Sequence, residues 1–340
     1  MTKILIIRFS SIGDIVLASP VFRCVKQQVE NCELHFLTRK SFKAVTEYNP
    51  YIDKFHYYEN NIDKLILELK KEDFDVIIDL HNNLRSNKIK HSLKKETYTL
   101  NKLTIQKFLL TKLKINVMPK NHITQRSLQT VEALGVKDDG LGLDYFISEK
   151  DEVKITDIPA SHQLGFVALV IGANHATKKM PTAKLQSLCK KINYPIILLG
   201  GKDEIVEGQS IASIDSIKIY NACGKFSLNE SADLIRKSKL VVSHDTGLQY
   251  IACAFNKEVI AIWGGTSPKL AVEPYYGSNF KNNIANPKYE NIVLNLWCQP
   301  CSKYGKSFCP LGHFNCMKLH DVNAIAAKIH RRLGIAETID

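Results

Sequence analysis

From its first residues to Asp79 the chain alternates short β-type runs with stretches of helical periodicity, and the same rhythm starts again after a polar interval near its middle. Lys3 to Arg8, Glu33 to Thr38 and Phe74 to Asp79 read as strands; Ile15 to Gln28, Ser41 to Tyr48 and Asn61 to Lys71 read as helices. Strands joined by crossover helices pair in parallel, and a parallel sheet has to be covered on both faces. The helical stretch Thr124 to Leu134 closes on Gly135, and the polar segment from Lys137 to about His162 reads as a linker. Beyond it, Leu164 to Ile171, Pro195 to Leu199, Lys239 to Val242 and Val259 to Trp263 read as strands and Ser227 to Lys237 as a helix. The pattern predicts an α/β protein of two Rossmann-like domains, residues 1–150 and 151–320, whose strand C-termini face a central cleft. A last helix, Val322 to Leu333 stopped by Gly334, lies in a closing segment 321–340 that is long enough to pack back on the first domain.

Composition narrows the function. No apolar run approaches the roughly 18 to 20 residues of a membrane span, and Ile4 to Ile7 is too short for a signal-peptide core, so a cytoplasmic protein is expected. Nine cysteines without an export signal are then expected to be reduced thiols or metal ligands. The net charge of +12 is concentrated: between Arg85 and Arg126 stand eleven lysines and arginines and a single acid, Glu96. Such a patch suits nucleic acid, an anionic membrane face, a phosphorylated substrate or a merely solvated helical face. Few aromatics and no RNA-binding or zinc-finger signature argue against nucleic acid.

Three loops carry candidate chemistry. Ser243-His244-Asp245-Thr246-Gly247 follows a strand and opens a helix, where free N–H groups and the helix dipole make either a phosphate site or an ordinary cap. Arg8-Phe9-Ser10-Ser11-Ile12-Gly13-Asp14 lacks the dinucleotide glycine spacing and puts Asp14 at a helix start, as an N-cap or as a general base. Gly172 to Pro181, with Lys178 and Lys179, is an anion loop or a surface lysine pair. Asp203 and Glu204, after Gly200-Gly201, could take a ribose hydroxyl. Phe226, ahead of the capping box Ser227 to Glu230, could stack on an adenine or staple the core.

Taken in order, Ile6 to Val16, Thr177-Lys178-Lys179-Met180-Pro181, Ser243 to Leu248, Trp263 to Pro268 and Pro274-Tyr275-Tyr276-Gly277 resemble the ADP-heptose:lipopolysaccharide heptosyltransferases, glycosyltransferase family nine. The resemblance implies a GT-B fold, acceptor in the first domain and nucleotide-sugar in the second, and an inverting, metal-independent transfer of heptose to a phosphorylated, lipid-linked core saccharide of the Kdo/heptose–lipid A type. It implies Asp14 as catalytic base, with Lys178, Thr177, Asp245, Thr246, Gly247, Phe226, Asp203, Glu204 and Tyr250 on the donor. Arg8, Ser10, Ser11, Gly13 and Arg85 fall to the acceptor. Tyr250 stands where many relatives carry histidine, so the donor-phosphate contacts or the sugar can differ. The basic segment then suits the inner membrane face, and no nucleic-acid partner is expected. A transferase for another nucleotide-sugar, or an idle nucleotide- or RNA-binding protein, are the competing readings.

Cys298, Cys301, Cys309 and Cys316, with His313 among them, have the density of a structural zinc site, though packed thiols or disulfides fit as well. No cofactor is expected for the transfer itself.

Overall fold

A computed structural model describes residues 1–283 and 285–335. The chain forms two compact units, one of residues 1–103, 120–146 and 275–280, the other of residues 104–119, 147–274 and 281–340. The first unit's second segment ends at Phe146, and two short segments belong to the unit opposite the one that sequence order suggests.

In the first unit β1 (Thr2–Ile7), α1 (Ile12–Val16), α2 (Ser19–Gln28), β2 (Cys32–Arg39), β3 (Lys54–Tyr58), α3 (Ile62–Lys70), β4 (Val76–Asp79), α4 (Leu84–Leu93) and β5 (Glu96–Thr99) build a parallel sheet of order β3-β2-β1-β4-β5. The single helix expected over Ile15 to Gln28 is two, because Pro20 at the second position of α2 has no N–H for a helix running through it. The helix expected over Ser41 to Tyr48 is a 3-10 run, Lys40–Val45; the pair Asn49-Pro50 closes that stretch to a longer helix. Next come α5 (Thr104–Phe108), in the second unit, and α6 (Ile123–Gln129), back in the first.

The second unit continues with β6 (Val167–Val170), α7 (Thr182–Lys191), β7 (Ile196–Leu199), α8 (Ile205–Ala212), β8 (Ile219–Asn221), α9 (Leu228–Lys237), β9 (Leu240–His244), α10 (Gly247–Ala254), β10 (Val259–Ile262), β11 (Tyr289–Ile292), α11 (Asn315–Lys318) and α12 (Val322–Leu333). Its sheet, order β11-β10-β9-β6-β7-β8, is again parallel in every pairing. Both sheets are Rossmann-like; β6 and β9 are buried along their length and β1 from Ile4 onward, as strands covered on both faces must be.

The closing helix belongs to the second unit and packs in its core. Val322, Ile325, Ala326 and Ile329, an i, i+3, i+4, i+7 stripe, sit in the second unit's core with Leu185 and Leu188 of α7. Asp321 caps its start, and Gly334, at φ 65°, takes the left-handed conformation that ends it.

The histidines inside these cores make an acid-side prediction. Burial pushes His244 down to about 3, and burial followed by the neighbouring His35 pushes His56 down to about 4. Both folded values lie below the ordinary 6.5, so the unfolded chain binds more protons and stability is lost as pH falls below 6.5. Urea unfolding followed by circular dichroism between pH 7 and 5 is expected to show a loss approaching roughly 1.4 kcal/mol per pH unit for each of the two. His56→Gln should flatten that slope.

Candidate active site

In the first unit the site is built at the end of β1. Ser11 is the N-cap of α1, and Asp14, three residues on, turns back toward it. Asp14 Oδ2 accepts from the Ser11 N–H at 3.1 Å and the Ser11 hydroxyl at 2.9 Å, while Oδ1 lies 2.7 Å from Arg8 Nη2. Burial alone would raise this carboxyl, but Arg8 and the two Ser11 hydrogen bonds outweigh it and hold it below the usual carboxylate range. Arg8 is itself fixed: its Nε donates to Ser10 O at 3.0 Å and its Nη1 to Leu80 O. Arg8 Nε and Nη2 and both Ser11 donors thus serve Asp14 and its loop, Arg8 Nη1 reaches the end of β4, and Gly13 is buried within α1. Arg85, on α4, lies over the Tyr58 ring with its guanidinium carbon 5.4 Å from the centroid.

Two residues of this unit escaped the sequence reading. His81 follows β4 and packs edge-on to Phe9 at 5.3 Å; burial, then Arg8 and Lys102, push its pKa down to about 4, so it stands neutral near Asp14. Its position just past the C-terminal end of a parallel strand was the signal that could have found it. Arg126 was counted only as part of a charged run. It is 6% exposed and donates through Nη1 to Asn101 O at 3.1 Å, while its Nε and Nη2 are buried with no protein partner. Burial lowers its pKa to about 10, which still leaves it a cation at neutral pH.

In the second unit the end of β9 and the start of α10 carry the best-formed cluster. Asp245 Oδ2 accepts from the Thr266 hydroxyl at 2.7 Å and lies 2.8 Å from Lys178 Nζ. Thr246 is the N-cap of α10 but does not cap it through its side chain, and its Oγ1 is buried with no protein partner. A hydroxyl, an ammonium and the N–H groups opening at Gly247 thus share one loop region, a set suited to a diphosphate. His244, fully buried and neutral, ties the loops together by accepting from the Met180 N–H at 3.2 Å.

The other expected donor residues are committed elsewhere or lie open. Thr177, 1% exposed, exchanges hydrogen bonds with Lys306 through its hydroxyl, and its carbonyl accepts from Gly265 N at 2.7 Å. A Cβ on Gly264 would fall 2.3 Å from that carbonyl, so only glycine permits the approach. Glu204 pairs with Lys179 at 3.0 Å and accepts from Gly201 N at 2.9 Å. Tyr250 donates its phenol to Val272 O at 2.6 Å. Asp203 is exposed and Phe226 half-buried.

None of the nine cysteines is joined in a disulfide. Cys298 Sγ is 3.8 Å from His313 Nε2, and Cys309 Sγ accepts from Phe314 N. Burial, then its neighbours Cys301, Cys309 and Cys298, push Cys316 up to about 12, so the four sulfurs sense one another. They are more open than a bound shell: among the described residues the group with three metal-ligand atoms within 4.8 Å of one another is His35, His56 and Glu72. Those donors are already satisfied, His35 by His56 at 2.9 Å and by Glu33 at 3.0 Å, Glu72 by Lys54 at 2.6 Å.

Two parallel Rossmann-like sheets, with a held carboxylate in one unit and a cation–hydroxyl–amide loop in the other, are the fold and equipment of a GT-B glycosyltransferase. The family model for glycosyltransferase family 9 (heptosyltransferase) matches residues 62–311, and the chain belongs to that family. It is 24% identical to lipopolysaccharide heptosyltransferase 1 of Campylobacter coli over 83% of this chain and 87% of that protein. A family 9 glycosyl transferase from Veillonella parvula superposes with a TM-score of 0.78 at 17% identity, covering 98% of this chain and 97% of the other. Escherichia coli heptosyltransferase WaaC with ADP-2-deoxy-2-fluoro heptose superposes at 0.67 with 16% identity, covering 97% and 99%. Among the described residues no helix is long and apolar enough to cross a membrane.

Proposed function

We propose that this enzyme transfers heptose from ADP-heptose to a phosphorylated, lipid-linked lipopolysaccharide core saccharide at the inner face of the cytoplasmic membrane, with inversion and without a catalytic metal. The observation that carries the reading is Asp14, kept ionised by Arg8 and Ser11 at the end of β1. Asp14 takes the proton of the acceptor hydroxyl, whose oxygen bonds to the anomeric carbon as the bond to the diphosphate breaks and its electrons leave with ADP. Lys178, the Thr246 hydroxyl and the N–H groups at Thr246 and Gly247 meet the charge that grows on that diphosphate. Phe226 and Asp203 are left for the adenosine, while Thr177, Glu204 and Tyr250 hold loops in place.

For the acceptor, Arg126 Nε and Nη2 stand without a protein partner, whereas each nitrogen of Arg8 already has one. Arg126→Ala is expected to raise KM for the acceptor by about tenfold or more, as the loss of a charged hydrogen-bonding partner does. The donor KM should stay as it was, and steady-state kinetics with each substrate varied in turn checks this.

Cys298, Cys301, Cys309 and Cys316 suit a structural zinc in ligand type, and such an ion would stiffen their loop without entering the transfer. The base of the donor is tested by thermal shift. ADP at about a hundred times its Kd should stabilise the fold by roughly 2.7 kcal/mol, and UDP and GDP should leave Tm unmoved. Stabilisation by UDP or GDP alone would replace ADP-heptose by another nucleotide-sugar.

A further inference from the structure

Residues 104–119 carry apolar side chains on the outside. Ile105 is 72% exposed, Phe108 54%, Leu113 56%, Ile115 51% and Val117 50%, whereas Leu110 and Thr111 of the same stretch are buried. The backbone explains the pattern. Helix α5 runs directly into a π-helical turn, Leu109–Leu113, and a π turn closes on the fifth residue rather than the fourth. Leu113 therefore comes round to the side of Phe108, and Ile105 lies one turn before it on that side. A run of exposed apolar groups of this kind marks a surface that meets something.

The arm is fastened to the cysteine-rich loop of its own unit. Lys114 Nζ donates to Cys298 O at 2.8 Å, to Pro300 O at 2.7 Å and to Thr111 O at 2.9 Å. The bonded carbonyl of Cys298 adjoins Trp297, which is 76% exposed, and the same loop exposes 70% of Phe308. Charge identifies the partner. Neither residues 104–119 nor residues 297–319 contain an aspartate or glutamate, and together they hold six lysines. Protein interfaces are poor in lysine, whereas aromatic and aliphatic tips in a basic, acid-free frame fit an anionic lipid surface.

We infer that the arm 104–119, together with Trp297, is the surface on which this enzyme seats itself on an anionic lipid leaflet. Ile105, Phe108, Leu113 and Trp297 enter the interface, and Lys107 and Lys112 face the headgroups. The inference rests on the proposed lipid-linked acceptor, and it narrows the membrane contact from the whole basic run 85–126 to its stretch 104–119, which belongs to the unit that carries Lys178 and Asp245.

The test uses the whole enzyme in two assays run side by side. One is sedimentation with vesicles of phosphatidylglycerol and phosphatidylcholine, or of phosphatidylcholine alone; the other is transfer to a deacylated, water-soluble acceptor. The wild type should bind the anionic vesicles preferentially. The variant Phe108→Ser/Trp297→Ser should bind them at least about tenfold more weakly, since each lost side chain removes a buried apolar anchor, with Tm and transfer to the soluble acceptor unchanged. Equal sedimentation of variant and wild type overturns the inference. So does a wild type that ignores vesicles but forms a dimer which the variant loses, because the face would then meet a second copy. A wild type that binds vesicles yet transfers no heptose refutes the proposed reaction and leaves the membrane seat standing.

Discussion

Asp14→Asn is expected to lower kcat by about 10²- to 10⁴-fold, the range that a positioned general base contributes, while ADP binding stays intact. Asparagine keeps the shape and can still accept from Ser11 N and the Ser11 hydroxyl, so α1 keeps its cap while the base and the charge that faces Arg8 are lost. Pre-steady-state transfer and isothermal titration with ADP separate the two. The pH profile gives a second reading of the same group. Because Arg8 and Ser11 hold the carboxyl down, the acid limb of kcat/KM belongs below the ordinary carboxylate value of about 3.9, and the rate should be flat through neutrality on that side. Arg8→Gln removes the guanidinium 2.7 Å from Asp14 and should move the limb to higher pH, because burial is then no longer offset by a cation. An unmoved limb, or full activity in Asp14→Asn, would take Asp14 out of the chemistry.

The alternation of strands and helices is legible because the central strands contain unbroken apolar runs, Ile4 to Ile7 in β1, Leu240 to Val242 in β9 and the whole of β6 and β10 among them. What the pattern missed lies where burial is partial or the element short. The edge strands β5 and β11 are nowhere buried, and β8 has three residues. The apolar stripe of α12 likewise tells that the helix is covered, not which sheet covers it; the fold sets the stripe in the second unit's core. Loop motifs pointed to Asp14, Lys178, Asp245 and Thr246, because strand-to-helix turns carry their own signature, and the fold sets Asp14 against Arg8 and Ser11 and Asp245 against Lys178 and Thr266. The motifs do not tell which of these side chains are bonded within the protein. Thr177, Glu204 and Tyr250 stand inside the motifs yet are bonded to Lys306, Lys179 and Val272. Conversely, Arg126 looks like any other cation in a basic run, and only the fold shows two of its nitrogens buried without a partner.

Lys178→Met should reduce kcat by about 10²- to 10³-fold, as the loss of one preorganised donor to a developing anion does. A structural effect accompanies it, because Asp245, 9% exposed, keeps the Thr266 hydroxyl but loses its cation 2.8 Å away. Breaking such a pair is expected to cost roughly 3 kcal/mol, the low end of the range for buried pairs, since the lysine side chain is itself 16% exposed. The two effects separate in a double-mutant cycle. Asp245→Asn added to Lys178→Met removes the stranded charge and leaves an amide that can still accept from Thr266, so most of the lost stability should return in urea unfolding. Activity should not return with it, because no ammonium is left to face the diphosphate. If the double variant regains its rate along with its stability, Lys178 serves only to neutralise Asp245, and the donor phosphates must be met by other groups.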